Sequence, residues 1–239
     1  MGSIPHSVTA SPERTSPVWL RVCFWFSVLI AVAVVIRRLV ALSHPSTSGP
    51  PELAGLDATF ASHAGLTLAH IIPAMMFVLL APFVFLRRFA GAAWPRRLIY
   101  PLGAIVGLTA YAMSRYSIGG WVERSAVLLF NSLFLFSLLR AFRWRRHGDS
   151  LLERQWLTRA IGILLGIATT RPVMGIFFAT SRLTHWTPSQ FFGIAFWIGF
   201  SLNAVAVELW LRSKGYRLSA NARSSAAKGA LEPSHARHG

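Results

Sequence analysis

Six long apolar stretches dominate this chain, and arginines crowd alternate gaps between them. The stretches cover residues 17–42, 66–86, 98–115, 121–142, 156–180 and 189–211. Each comes near the ~20 residues that a helix needs to cross ~30 Å of hydrocarbon. In lipid an unsatisfied backbone polar group costs several kcal/mol, so only helices and closed barrels cross it. Barrel strands are short and alternate in polarity, whereas these runs are continuous and helix-length. The expected fold class is all-α: a polytopic transmembrane helix bundle of about six helices. This domain spans 17–211, between a disordered N-terminal tail at 1–16 and a disordered basic C-terminal tail at 212–239, both without hydrophobic periodicity.

The net charge of +16 could point to a nucleic acid. Position argues against that. Arg87, Arg88, Arg96 and Arg97 lie between the second and third stretches, Arg143, Arg145, Arg146 and Arg154 between the fourth and fifth, and more basic residues follow Leu211. These gaps share one side of the membrane, which the positive-inside rule makes cytoplasmic, so both termini are expected inside and the localisation is a cell membrane, multi-pass. The expected partner is the lipid bilayer, not nucleic acid; the oligomeric state is not written in the sequence. Arg37 and Arg38, at the outer end of the first stretch, break the pattern. That stretch runs on into those arginines rather than into a small-residue cleavage site, so it reads as a retained helix. The lone cysteine, Cys23, allows no intramolecular disulfide.

Gly103 and Gly107, and Gly162 and Gly166, have the four-residue spacing that lets helices touch closely in lipid. Pro73, Pro82 and Pro172 are expected to bend their helices.

Polar residues inside lipid are costly, which makes them the best pointers to function. The outer half of the bundle is expected to hold His70, Tyr111, Arg115, Thr169, Thr170 and Arg171; the inner half Arg159, Asn203 and Glu208, with Asn131 near the midplane. Arg171 is too deep to snorkel easily and needs a partner, water or an anionic ligand. In one reading Arg171, Arg115 and His70, with Tyr111 and Thr170, line an outward-facing pocket for an anionic or strongly polar group. In the other, Arg171 bonds carbonyls freed by a proline kink, or Glu123. His70 and Glu208 are the candidates for acid–base chemistry, although Arg159 stands at the depth of Glu208 and a structural ion pair is the simpler use of both.

His70 could ligate haem b, but no second histidine stands at matching depth, and no cofactor or metal site is expected. No GxxxxGK[ST], GxGxxG, HExxH, paired CxxC or GxSxG motif is present. Three classes remain. A binding or catalytic module for a lipophilic molecule with a polar head (quinone, isoprenoid or lipid) comes first, a non-enzymatic transport or assembly component second, and a haem-b electron carrier a distant third. Whether the first is an enzyme is left open by these residues.

His70 in "LAHIIPA", "APFVFLRR" at 81–88, "ERQWLTR" at 153–159, Arg171, and "NAVAVE" at 203–208 follow one another in an order that resembles a widespread family of predicted polytopic membrane proteins, defined only as a domain of unknown function. The resemblance covers about 66–212 and implies the same bundle and importance for His70, Arg171 and Glu208. Two family histidines are replaced here, one in the His-Arg pair that stands here as Arg96 and Arg97, the other by Glu153 before Trp156.

Overall fold

The computed structural model describes residues 18–43, 57–58, 60–85 and 93–231, and every regular element among them is helical. Helix α1 is Val18–Ser43, α2 Ala64–Phe85 and α3 Ala93–Met113, followed by a 3₁₀ turn at Ser114–Tyr116. Then come α4 Gly120–Arg146, α5 Ser150–Leu164, α6 Gly166–Thr184 and α7 Pro188–Leu231. The expected tail at 1–16 lies outside the described residues.

Among the described residues, five helical stretches are long and apolar enough to cross a membrane: Arg21–Ser43, Ala64–Phe85, Gly120–Arg146, Ser150–Ser181 and Pro188–Ser213. The helical bundle is thus a membrane-type architecture. The sixth expected crossing, α3, has the length but falls short in apolarity, since Arg96, Arg97, Tyr100 and Tyr111 interrupt it. Large apolar side chains such as Leu108, Trp121, Ile176 and Leu183 stand exposed around the bundle. In water such a surface would drive association; in lipid it is the ordinary outer face.

The fifth apolar stretch is two helices. The chain breaks at Leu165, where the N–H of Ala168 reaches the Leu165 carbonyl at 2.9 Å, a tighter three-residue bond than the α-helix uses. The helix runs through Pro172 without ending, and the break falls one residue before its start at Gly166. Close packing of α7 surrounds this corner: a Cβ on Gly162 would lie 2.3 Å from Val207, and one on Gly166 would lie 2.5 Å from Phe200. Across the bundle Leu138 and Leu135 of α4 fill the space left by Gly103 and Gly107 of α3. Without a hydrophobic drive in lipid, such van der Waals contact holds helices together.

A core of Phe77, Ile99, Val106, Phe134, Leu138 and Leu157 ties α2 through α5 together. Helix α1 is peripheral and buries only Val28 and Ala31. Helix α7 continues to Leu231 instead of giving way to an irregular tail after Leu211. Alanines at 220, 222, 226, 227 and 230 favour helix, and Pro233 is the first strong stop signal.

Candidate functional site

A cavity of about 240 Å³, lined from all seven helices, lies toward the end of the bundle where α1 finishes and α2 begins. Its wall is mostly apolar, built from residues such as Val35, Ile71, Val78, Val106, Phe130 and Phe134. Into that wall are set Arg38, His70, Glu123, Asn131 and Arg171.

Each polar group has a different local history. Arg38 stands near the end of α1, where it pairs with Asp57 and lies over the Phe60 ring at 4.0 Å. Arg37, its neighbour, meets the same carboxylate at 3.2 Å. The two arginines that broke the charge pattern are therefore matched by an aspartate from the connection that follows. Thr67 fixes that connection on α2 by donating to the Phe60 carbonyl at 3.1 Å.

His70 contacts Thr109 Oγ1 through Nδ1 at 2.9 Å. The threonine hydroxyl gives its own proton to the Ile105 carbonyl at 2.7 Å, so it accepts from the imidazole. This contact anchors the ring of α2 to α3 through Nδ1.

Glu123 is 8% exposed and closes the start of α4, its Oε2 accepting from the Gly119 N–H at 2.6 Å. A carboxylate there satisfies an orphan donor and suits the positive end of the helix. The approach of α7 seals the same turn, since a Cβ on Gly193 would lie 2.6 Å from the Glu123 nitrogen.

Arg171 differs from all of these. Its Nε is enclosed and has no hydrogen-bond partner, and its Nη1 reaches only the Met174 sulfur at 3.9 Å, a weak acceptor. Among the described residues no carboxylate lies within ion-pair distance of it, although Glu123, Arg37 and Arg38 are within electrostatic reach. Neither Glu123 nor a kinked carbonyl takes its charge.

The remaining expected residues lie elsewhere. Arg115 is exposed on the 3₁₀ turn, because α3 ends at Met113 and the chain leaves the bundle wall there. Tyr111 turns to Ser132, with 2.7 Å between their hydroxyls. Thr170 is fully buried and caps the Gly166 carbonyl at 2.9 Å while pressing on Gly199 of α7, so it packs a helix crossing rather than facing the cavity. Thr169 donates to Asn203 Oδ1 at 2.8 Å, and Asn203 Nδ2 in turn reaches the Gly162 carbonyl at 3.2 Å. Glu208 pairs with Arg159 at 2.9 Å and with Arg212 at 3.0 Å, away from the cavity.

Sequence reasoning missed a second polar centre at the other end. Glu153 is 2% exposed and accepts from the Tyr100 hydroxyl at 2.9 Å, with Arg96 at 3.7 Å. Arg145 lies over the Tyr100 ring and donates to the Arg96 carbonyl. The usable signal was a carboxylate one turn into α5 opposite a loop rich in arginine.

The His63 ring packs at a tilt against Tyr116, 3.7 Å between centroids. No cluster of three or more His, Cys, Asp or Glu side chains able to hold a metal is found among the described residues. No family model, curated protein or solved structure matches this chain.

Proposed function

We propose that this is a multi-pass cell-membrane protein, with both termini on the cytoplasmic side, whose cavity holds a lipophilic molecule with a polar head. Arg171 carries the argument. An isolated buried cation costs several kcal/mol and persists in lipid where it meets a partner, water or a ligand. Here the guanidinium borders an apolar cavity and has no strong acceptor of its own. Small-molecule sites combine an apolar wall with a few convergent polar groups, and His70 and Asn131 complete such a set. The arginine-rich gaps, including Arg96, Arg145 and Arg154, support the orientation that turns the cavity outward.

In the transport or assembly reading the charged residues serve helix pairing and proton or ion passage, and Glu208 and Arg159 supply the pairing alone. Catalysis by Glu208 loses support from that ion pair. Solvent extraction of repeated purified preparations, followed by mass spectrometry, tests the proposal: a recurrent amphiphile in near-stoichiometric amount is expected. Extracts empty of any such molecule, with no amphiphile binding on addition, would overturn it.

A further inference from the structure

Resting on that reading of the cavity, we infer that the occupant's head is a compact anion, a carboxylate or a phosphate ester on a single aliphatic chain, and that Arg171 is the group that binds it. Three observations on the wall lead there. The first is commitment. Arg38 is held by Asp57 and Phe60, and Glu123 by the Gly119 N–H, so each is already engaged as it faces the cavity. Of the cations that line the cavity, Arg171, with its enclosed and unpartnered Nε, is the one left to answer.

The second is charge. Among the charged groups that line the cavity and their ion-pair partners, Arg37, Arg38 and Arg171 are positive and Asp57 and Glu123 negative. One positive charge is left over. A neutral head, such as a quinone carbonyl, would accept a hydrogen bond from the guanidinium but would leave that charge uncancelled in apolar surroundings. A planar guanidinium takes a carboxylate or phosphate with two parallel bonds, so an anion satisfies both geometry and charge. His70 does not compete for it. Its Nδ1 is already engaged by Thr109 Oγ1.

The third is size. A cavity of about 240 Å³ exceeds the ~150 Å³ of a dry engineered cavity that takes benzene. It is smaller than the ~300–1,000 Å³ of sites that enclose drug-sized ligands. It holds a small head and the first carbons of a chain, and is too small for a nucleotide head. The rest of the chain must lie along the bundle in lipid, and α1, which buries little of itself, leaves an apolar wall beside the opening.

The test uses the full chain in phosphatidylcholine nanodiscs, with empty discs as the blank. Four probes share a ten-carbon tail: decanoate, decyl phosphate, decanol and a decyl benzoquinone. At least one anion is expected to bind at least about tenfold more tightly than decanol or the quinone, the size of one charge-assisted hydrogen bond. Which anion does so identifies the head. Arg171→Gln is expected to bring the anions down to the level of decanol, and Arg171→Lys to restore part of the difference. Equal binding of all four probes, or anion affinity unchanged in Arg171→Gln, would overturn the anionic head while leaving an occupied cavity standing. No binding by any probe together with empty extracts would remove both. Should Arg171→Gln fail to fold, the ranking of the probes on the natural protein and on Arg171→Lys still decides.

Discussion

The two ends of this bundle hold similar residues and use them differently. At the end near the arginine-rich loops, Glu153, Tyr100, Arg96 and Arg145 satisfy one another, and Arg159 and Glu208 do the same a little further along. At the opposite end Arg38 and Glu123 are satisfied, yet Arg171 is not, and beside it the packing opens into a cavity. Charge inside lipid is costly in both places. Where the protein supplies the counter-charge, the residues hold helices in register; where it supplies an apolar space instead, the proposed ligand would bring the counter-charge.

The largest expected effect tests the closed end. Glu153→Ala would leave the Tyr100 hydroxyl and Arg96 facing an empty, buried space. Removing one partner of a buried ionic pair costs roughly 3–5 kcal/mol. Thermal unfolding of the purified protein should drop steeply, and Glu153→Gln, which still accepts from Tyr100, should recover much of the loss. A small change in Glu153→Ala would mean that this cluster holds little together.

Arg171→Gln should behave in the opposite way. It removes a buried charge that has no protein partner, so stability is expected to stay within about 1 kcal/mol of the natural protein, or to rise, while anion binding falls at least about tenfold. The contrast between the two variants is the sharpest test of the comparison: a collapse of Arg171→Gln as severe as that of Glu153→Ala would make the two ends alike.

Asn203 is a case of intermediate size. Its amide joins α7 to both halves of the broken fifth stretch, accepting from Thr169 and donating to the Gly162 carbonyl. Interhelical hydrogen bonds in membranes are worth ~0.6–1.7 kcal/mol. Asn203→Ala is expected to lower unfolding stability by about that amount and to leave decanoate binding unchanged; a change in binding would show that the cavity is coupled to this junction.

Length and apolarity made the helical bundle legible before any coordinates, because crossing hydrocarbon leaves a chain few options. The depth of Arg171 within its apolar run was legible for the same reason. Rotation about a helix axis was not. Tyr111 and Arg115 share a depth with His70, but Tyr111 turns to Ser132 and Arg115 leaves the helix altogether. Thr170 follows Thr169 in sequence, yet one seals a crossing with Gly199 and the other meets Asn203. Arg38 looked like a break in the charge pattern because its partner, Asp57, lies across a connection that periodicity cannot fold. The corner at Leu165 was hidden behind Pro172, since a tightened turn leaves no single-residue mark as plain as a proline.

The smallest expected effect probes the border between the two kinds of charge. Asp57 holds Arg37 and Arg38 together, and Arg38 faces the same cavity as Arg171. Asp57→Asn removes the counter-charge without removing the shape. The pair is partly exposed, so the loss of stability should be below about 1 kcal/mol. The freed Arg38 then adds a second positive charge to the wall, and decanoate affinity is expected to rise a few-fold, more at low salt than at high salt because exposed charges are screened. Two results would redraw the comparison. Unchanged affinity would mean that the Phe60 ring, not Asp57, keeps Arg38 out of the site, and Phe60→Ala in the Asp57→Asn background should then release it. A fall in affinity would mean that the Asp57 clasp shapes the cavity, placing this charge with the self-satisfied group at the other end of the molecule.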